Sequence, residues 1–209
     1  MLYNPPHFRQ TDPEPLLAAL AASGFATLIS NTSEGPVVTH LPLLVDRSGG
    51  GLGRLIGHVA RANPHWRTAD LTVPSIAVFH GPDAYVSPNW YPSKAETGKA
   101  VPTWNYSVIH AAGPLRVHDD AGWLREAVAR LTDRHEQGRD GAWSLDDAPE
   151  AYITAQLKGI VGLSLEITGI EGKFKLSQNR SEADRARVIA RLAAETAPGS
   201  AAIRQLMRK

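Results

Sequence analysis

Cysteine is absent from this chain of 209 residues. The absence excludes disulfides, thiolate nucleophiles, iron–sulfur clusters and cysteine-ligated zinc or haem. The two methionines lie close to the two ends of the chain, so histidine is the only strong axial haem ligand that the sequence offers. Redox chemistry in this protein therefore requires a borrowed cofactor.

Long apolar runs are also missing. No run approaches the roughly 18 residues that a membrane-spanning helix needs. The first ten residues, MLYNPPHFRQ, are too polar and too rich in proline for a signal peptide. We therefore expect a cytoplasmic protein with no membrane partner, and 43% hydrophobic residues suffice for the core of a single domain over residues 1–209.

A metal-binding spacing is lacking as well. The eight histidines include no HxxxH or HExxH pattern. We expect structural roles for them and predict no metal site.

Short β-prone runs dominate the first 120 residues. Residues 25–30, 36–45 and 54–60 are separated by turns rich in Gly and Asp, and residues 75–81 and 101–119 continue the pattern. About six closely spaced strands with few long helices between them predict a small closed barrel, mainly β within the α+β class, rather than a parallel βαβ sheet.

Helices are predicted around this barrel. Asp12, followed by proline, and Gly24 bound a helix in which leucine and alanine predominate. Apolar residues at 3.6-residue spacing predict a helical insertion at about 120–157. Ser181 begins a helical C-terminal end at about 181–209.

Three segments carry more polar side chains than a barrel strand requires, and the first spans residues 57–66. His58 and Arg61 lie at the end of a predicted strand, just before Asn63. A guanidinium and an imidazole beside free backbone amides suit a phosphate, which arginine binds through two parallel hydrogen bonds. The alternative is a surface arginine beside a histidine with a structural role.

The second segment spans residues 98–106. Thr103, Trp104, Asn105 and Tyr106 place two large aromatic rings beside a hydroxyl and an amide. Flat heterocycles are bound by this combination of stacking surface with a few oriented polar groups. The alternative is a strand bulge whose aromatic rings belong to the core.

The third segment spans residues 171–180. Lys173 and Lys175 fall on one face of a predicted strand, and Ser177, Gln178 and Asn179 follow. These donors suit a second phosphate contact or the edge of a heterocycle. The alternative is a strand end that runs into a helix cap.

The net charge of +1 conceals an uneven distribution. Residues 120–150 contain eight acids and four arginines, whereas residues 172–209 contain nine lysines and arginines and three acids. A basic end of this kind suits a phosphate or nucleic acid, and solvated faces of amphipathic helices explain it equally.

Together these segments resemble one family over nearly the whole chain, the PaiB-like FMN-binding negative transcriptional regulators. The resemblance rests on segments that occur here in the family's order: MLYNPPHF, THLPLL, GHVARANPHW, FHGPDAYVSPNWYPSK, VPTWNY, DRHE and GIVGLSLEITGIEGKFKLSQNRSEADR. It implies an FMN-binding split β-barrel with peripheral helices, similar to pyridoxamine-phosphate-oxidase-like flavoproteins. It also implies a homodimer with FMN in the interface cleft.

Carried onto this chain, the resemblance implies three groups of flavin contacts. The flavin ring is expected along Thr39, His40 and Leu41. The phosphate is expected near His58 and Arg61, with Asn63 close by and with Lys173 or Lys175 as further cations. Additional contacts are expected from Thr103, Trp104, Asn105, Lys175, Ser177, Gln178 and Asn179.

Three functions fit these expectations. The first is an FMN-dependent oxidoreductase with a small-molecule electron donor or acceptor, although no residue is distinguished as a catalytic acid or base. The second is a flavin-linked regulator that contacts DNA through its basic end, although no helix-turn-helix pattern or zinc module is visible. The third is haem binding or degradation, because split barrels also host haem.

Overall fold

The protein is described by a computed structural model that covers residues 2–208, so Lys209 of the basic end lies outside the described residues. Ten strands and seven α-helices occur in this range. The strands are β1 (Arg9–Gln10), β2 (Phe25–Thr32), β3 (Gly35–Pro42), β4 (Leu44–Asp46), β5 (Arg54–Ala60), β6 (Ser75–Val86), β7 (Thr103–Gly113), β8 (Leu115–His118), β9 (Ile160–Glu166) and β10 (Gly169–Lys175). The helices are α1 (Pro13–Ser23), α2 (His65–Thr68), α3 (Ser93–Thr97), α4 (Ala121–Glu136), α5 (Glu150–Leu157), α6 (Glu182–Leu192) and α7 (Ser200–Met207).

Contacts divide the chain into two compact units. The larger unit comprises residues 13–79 and 110–170, and the smaller unit comprises the residues up to 12, residues 80–109 and the residues from 171 onward. That residues 1–209 form a single domain stays a prediction.

Antiparallel pairing builds the larger unit. Strands β4, β5, β9 and β8 form a four-stranded sheet in that order. Strand β2 pairs with β3 along its whole length and with the beginning of β6. The inward side chains of β5 and β9, such as Leu55, Val161 and Leu163, are at most 1% exposed and form the core.

The second face of strand β9 is covered too. Val161, Leu163 and Leu165 alternate with Gly162 and Ser164, as the sequence predicts for a strand with one buried face, yet all five are buried. The cause is helix α4, whose Trp123 ring lies where a Cβ atom on residue 162 would be, only 2.1 Å from Cζ3. Glycine at this position therefore makes room for the helix.

Two histidines flank this glycine. His58 on β5 and His118 on β8 are both register partners of Gly162. The His118 ring is stacked on the Trp123 indole, with 3.9 Å between ring centroids and 5° between planes. The helical insertion is thus anchored to the sheet by aromatic packing.

A buried carboxylate joins the insertion to the sheet a second time. Asp46 is 3% exposed and accepts hydrogen bonds from Arg130 of α4 and Arg54 of β5, at 2.9 and 2.8 Å. The bond from Arg130 is the largest cause of a strongly lowered pKa for Asp46. The carboxylate therefore stays ionised throughout the neutral range.

Helices α6 and α7 belong to the smaller unit and pack against its strands. Ala84 and Val86 of β6 and Leu176 just beyond β10 form a buried cluster with Val188 and Ile203 from the two helices. As predicted, Ser181 caps α6, with its hydroxyl accepting from the Asp184 amide. Because side chains alternate along β10, Lys173 and Lys175 project from the face opposite the packed Phe174.

No helix within residues 2–208 is long and apolar enough to cross a lipid bilayer.

The fit of Trp123 over Gly162 gives a stability prediction. Gly162→Ala places a methyl group inside the indole ring, so α4 has to shift, and we expect a loss of about 1–3 kcal/mol in the free energy of unfolding. Urea denaturation measures it. Gly49→Ala is the matched control, since no heavy atom lies within 4 Å of a Cβ built there. Equal stability of the two variants would contradict the packing described.

Candidate functional site

A chain of buried hydrogen bonds surrounds Thr39, one of the predicted flavin contacts. The His65 ring is fully buried, with Nδ1 2.9 Å from the Thr39 hydroxyl and Nε2 2.8 Å from the Ser30 hydroxyl. Ser30 in turn lies 2.6 Å from the hydroxyl of Ser75. The Asn63 amide donates to Thr39 at 3.2 Å, and its oxygen accepts from the His65 backbone amide at 2.9 Å.

This network fixes Thr39 at the point where β2, β3 and β6 meet the turn after β5. Burial lowers the pKa of His65, so its ring is neutral and serves as one donor and one acceptor. Sequence reasoning missed His65, although it lies two residues beyond Asn63 in the same segment. Its location at the first position of a very short helix gave no periodic signal.

The neighbours of Thr39 on strand β3 lie in different surroundings. His40 is exposed, and its Nδ1 lies 3.0 Å from the Thr27 hydroxyl on the adjacent strand. Leu41 is 3% exposed and belongs to the core. Of the three predicted contacts on this strand, Thr39 is therefore the one with a fixed, half-buried polar group.

His58 is half-buried on the sheet. Its Nδ1 atom is buried without a hydrogen-bond partner among residues 2–208. Burial lowers the pKa of His58, so the imidazole is disfavoured as a cation. An unpaired buried nitrogen costs about 1–3 kcal/mol, a cost that a ligand donor or acceptor would remove.

Arg61 is engaged by groups of its own unit. Its guanidinium forms a two-pronged pair with the Asp119 carboxylate and donates to the carbonyl oxygens of Lys158 and Ile160, at 2.7 and 3.0 Å. Phosphate binding by Arg61 stays a prediction. It requires the phosphate either to share the Arg61 guanidinium with Asp119 or to displace the Asp119 carboxylate from it.

Lys175 is the centre of the polar group in the smaller unit. Its amine donates to the Thr103 hydroxyl and to the Trp104 carbonyl. Burial, followed by the charges of Lys173 and Arg180, lowers the pKa of Lys175. The Lys175 amine is therefore within electrostatic reach of two further cations.

Lys173 is itself buried in aromatic surroundings. It is 7% exposed, donates to the Tyr3 carbonyl at 3.0 Å, and lies 5.0 and 5.4 Å from the ring centroids of Tyr3 and Tyr106. Cation–π contacts of this kind stabilise an ammonium group that is removed from water.

Trp104 is not a core residue. It is 53% exposed, and Tyr85, 45% exposed, contacts it edge to face with 6.0 Å between centroids. The exposed indole rules out the core interpretation of this segment and leaves a flat apolar surface available for stacking.

The remaining predicted contacts divide into buried and exposed groups. Asn105 is fully buried and exchanges hydrogen bonds with the Ser177 hydroxyl at 3.0 and 3.1 Å, and Ser177 has a left-handed φ of 62°. The Gln178 side chain folds back to accept from the Leu176 amide at 2.7 Å. Asn179 is exposed.

Two groups of predicted residues therefore come together. Thr39 and Asn63 meet through His65 in the larger unit, and Thr103, Trp104 and Lys175 meet in the smaller unit beside the buried Asn105–Ser177 pair. Arg61, His40 and Gln178 make separate contacts within their own units. No group of three or more His, Asp or Glu side chains positioned to hold a metal ion occurs in residues 2–208.

Known proteins resemble this chain at two levels. The family described as "Putative FMN-binding domain" matches residues 2–169. The chain belongs to this FMN-binding family. Protease synthase and sporulation protein PAI 2 of Bacillus subtilis (strain 168) is 32% identical over 99% of this chain and 96% of its own length. The predicted family and the predicted cofactor, FMN, are thus confirmed.

Solved structures confirm the predicted split-barrel fold. The FAD and haem binding protein from Mycobacterium smegmatis aligns with a TM-score of 0.57 at 20% identity, covering 85% of this chain and 78% of its own. Flavocytochrome Anf3 from Azotobacter vinelandii aligns with a TM-score of 0.58 at 16% identity, covering 86% and 75%. At these identities the likeness concerns the fold alone.

The residues present fit FMN. Its phosphate requires cations and donors, which the buried Lys173 and the half-buried Lys175 supply. Its ring requires a flat surface, which the exposed Trp104 indole offers. The unpaired Nδ1 of His58 is a further polar atom that a ligand would satisfy.

The neutral state of His65 gives a pH prediction. Unfolding raises its pKa to about 6.5, so acidification below that value favours the unfolded chain, which takes up the proton. We expect His65→Gln to be less stable than the parent by about 1–3 kcal/mol at neutral pH, because buried hydroxyls lose their partner.

The difference in stability between the parent and His65→Gln should narrow as the pH falls, since glutamine cannot be protonated. Urea denaturation at neutral pH and at a pH well below 6 measures both values, with the exposed His7→Gln as control. A stability difference that is the same at both pH values would contradict a neutral, buried His65.

Proposed function

We propose that the protein is an FMN-dependent oxidoreductase that acts as a homodimer. The observation that carries the proposal is the half-buried amine of Lys175, which donates to the carbonyl of Trp104, a residue with an exposed ring. The charges of Lys173 and Arg180 act on the same amine. Bound FMN would supply transfer of hydride or single electrons to or from a small molecule.

Phosphate recognition is assigned to the smaller unit. Three positive groups within mutual electrostatic reach repel one another, and this repulsion contributes to the lowered pKa of Lys175. A phosphate monoester carries about −1.5 to −2 charges and relieves that repulsion while it accepts several hydrogen bonds. Arg61 is the alternative phosphate contact if the phosphate displaces the Asp119 carboxylate from its guanidinium.

Each unit has one feature that suits recognition of a flavin ring. The exposed indole offers stacking surface, and the Thr39 hydroxyl is held in one orientation by His65 and Asn63. A prearranged hydroxyl loses little entropy when it bonds a heterocycle. The chain's own task in the reaction is therefore to hold and orient the flavin and to exclude water from it.

Dimerisation is supported by exposed apolar side chains. Tyr85, Val101 and Trp104 of the smaller unit are 45%, 64% and 53% exposed, and Tyr85 contacts Trp104. Large apolar surfaces of this kind are usually covered by a ligand or a second chain. The homodimer predicted from the family resemblance would cover them with FMN and the partner subunit.

Oxidoreductase chemistry is favoured over direct DNA recognition. The cations nearest the predicted flavin contacts are half-buried or buried, and the aromatic rings of Tyr3 and Tyr106 surround Lys173. Groups that contact the DNA backbone are instead exposed along a stripe. A flavin-linked regulator remains compatible with the site if the flavin acts as a sensor.

The first test measures FMN binding. We expect FMN fluorescence to be quenched by the protein, and Lys175→Met to weaken FMN affinity by about tenfold, because one charge-assisted bond to the phosphate is lost. Riboflavin, which lacks the phosphate, should bind the parent and Lys175→Met equally. Lys99→Met removes an exposed lysine of the same unit as control.

Two outcomes of this titration would overturn the proposal. The first is an absence of quenching, and the second is an equal loss of riboflavin affinity in Lys175→Met, which would make Lys175 a structural residue. A haem Soret band without any flavin response would favour the haem alternative.

The second test addresses the dimer. We expect the parent to be a dimer by light scattering at micromolar concentration, and Trp104→Ala to shift it towards monomer and to weaken FMN and riboflavin alike. Trp143→Ala is the matched control, since Trp143 is 43% exposed in the helical insertion. A monomeric parent that binds FMN fully would contradict a shared site.

A further inference from the structure

A groove lined by arginines lies on the smaller unit, beyond the point at which the family match ends at residue 169. It has a volume of about 570 Å³ and is lined by residues from the start of α6 and the end of α7, together with the turn before α6. We call it the arginine groove and define it by Arg180, Glu182, Arg185, Ile189, Met207 and Arg208.

Two of its three arginines are held in place. The Arg180 guanidinium lies 4.6 Å from the centroid of the Tyr91 ring. Arg185 donates to the Met207 carbonyl at 3.3 Å, while its buried Nε has no acceptor among residues 2–208. Part of the donor capacity of Arg185 is therefore unused within the described chain.

The charge of the groove is positive. Glu182 is the acidic residue in its lining, against Arg180, Arg185 and Arg208. The nearby Asp184 carboxylate is already engaged by the backbone amide and hydroxyl of Ser93, at 3.1 and 2.8 Å. An anion that enters the groove therefore meets an excess of guanidinium groups, which bind phosphate through paired hydrogen bonds.

The groove also has an apolar side. Ile189 and Met207 are packed against the buried cluster beneath α6 and α7, and both line the groove. Its volume falls within the range of about 300–1,000 Å³ that small-molecule sites occupy. Cations beside an apolar wall suit a molecule with an anionic head and an apolar body.

We propose that the arginine groove binds, alongside FMN, a second small molecule that carries a phosphate group on an apolar body, with Arg185 and Arg208 as its anion contacts. Nucleic acid fits the groove less well, because such surfaces contact about 6–10 phosphates in a row, and this concave groove offers three arginines. The inference is independent of the redox role proposed above.

The test uses full-length protein saturated with FMN, so that the flavin site is filled, and phenyl phosphate as the probe. Isothermal titration should show one binding event, tighter for phenyl phosphate than for inorganic phosphate because of the apolar wall. Flavin absorbance, recorded in parallel, should not change. A protein that takes up no FMN before the probe is added would report failure of the flavin assignment and not of the groove.

Variants locate the binding event. Arg208→Gln changes an exposed residue and should weaken phenyl phosphate by about tenfold, as should Arg185→Gln, because each removes a charge-assisted bond. Arg187→Gln and Arg191→Gln on the exposed face of α6 are matched controls and should bind as the parent does. Arg208→Gln keeps the test valid if Arg185→Gln disturbs folding.

Four outcomes would overturn the proposal. They are no binding of phenyl phosphate, equal weakening in the control variants, release of FMN by the probe, and tighter binding of a duplex oligonucleotide that depends on Arg187 and Arg191. The second would indicate diffuse charge attraction, the third would make the groove part of the flavin site, and the fourth would favour a nucleic-acid surface.

Discussion

The two hydrogen bonds of the buried His65 imidazole are the interaction on which the polar site of the larger unit depends. One neutral ring links the hydroxyls of Ser30 and Thr39, and through them Ser75 and Asn63. Burying so many polar groups is tolerated only because each has a partner, and removing one member leaves others unpaired. The result is a threonine with a fixed orientation at a strand where the flavin ring is expected.

The polar group of the smaller unit differs, because it contains several positively charged side chains. Lys173 is buried against two tyrosine rings, Lys175 is bound by a hydroxyl and a carbonyl, and Arg180 is stacked on Tyr91. Neutral groups contact each of these cations. Such an arrangement leaves positive charge available to an anionic ligand, in contrast to Arg61, which Asp119 already occupies.

Local sequence patterns explain why some helices could be predicted correctly. A proline and a terminal glycine marked α1, and the Ser181 cap marked α6. The β-prone run predicted at residues 75–81 ends at Gly81, yet strand β6 continues to Val86. Gly81 permits the close approach of Ser107. The partners of Arg61 and the role of His65 depend on residues 26 to 99 positions away, which no local pattern encodes.

The central claim is that FMN is bound at a site completed by two chains. Sedimentation velocity followed at the visible absorbance of the flavin tests it most directly, because it reports only the species that carries FMN. The account predicts that the flavin sediments with a particle of twice the 22.6 kDa chain mass and one flavin per chain. Flavin sedimenting with a single chain, or as free FMN, would contradict it.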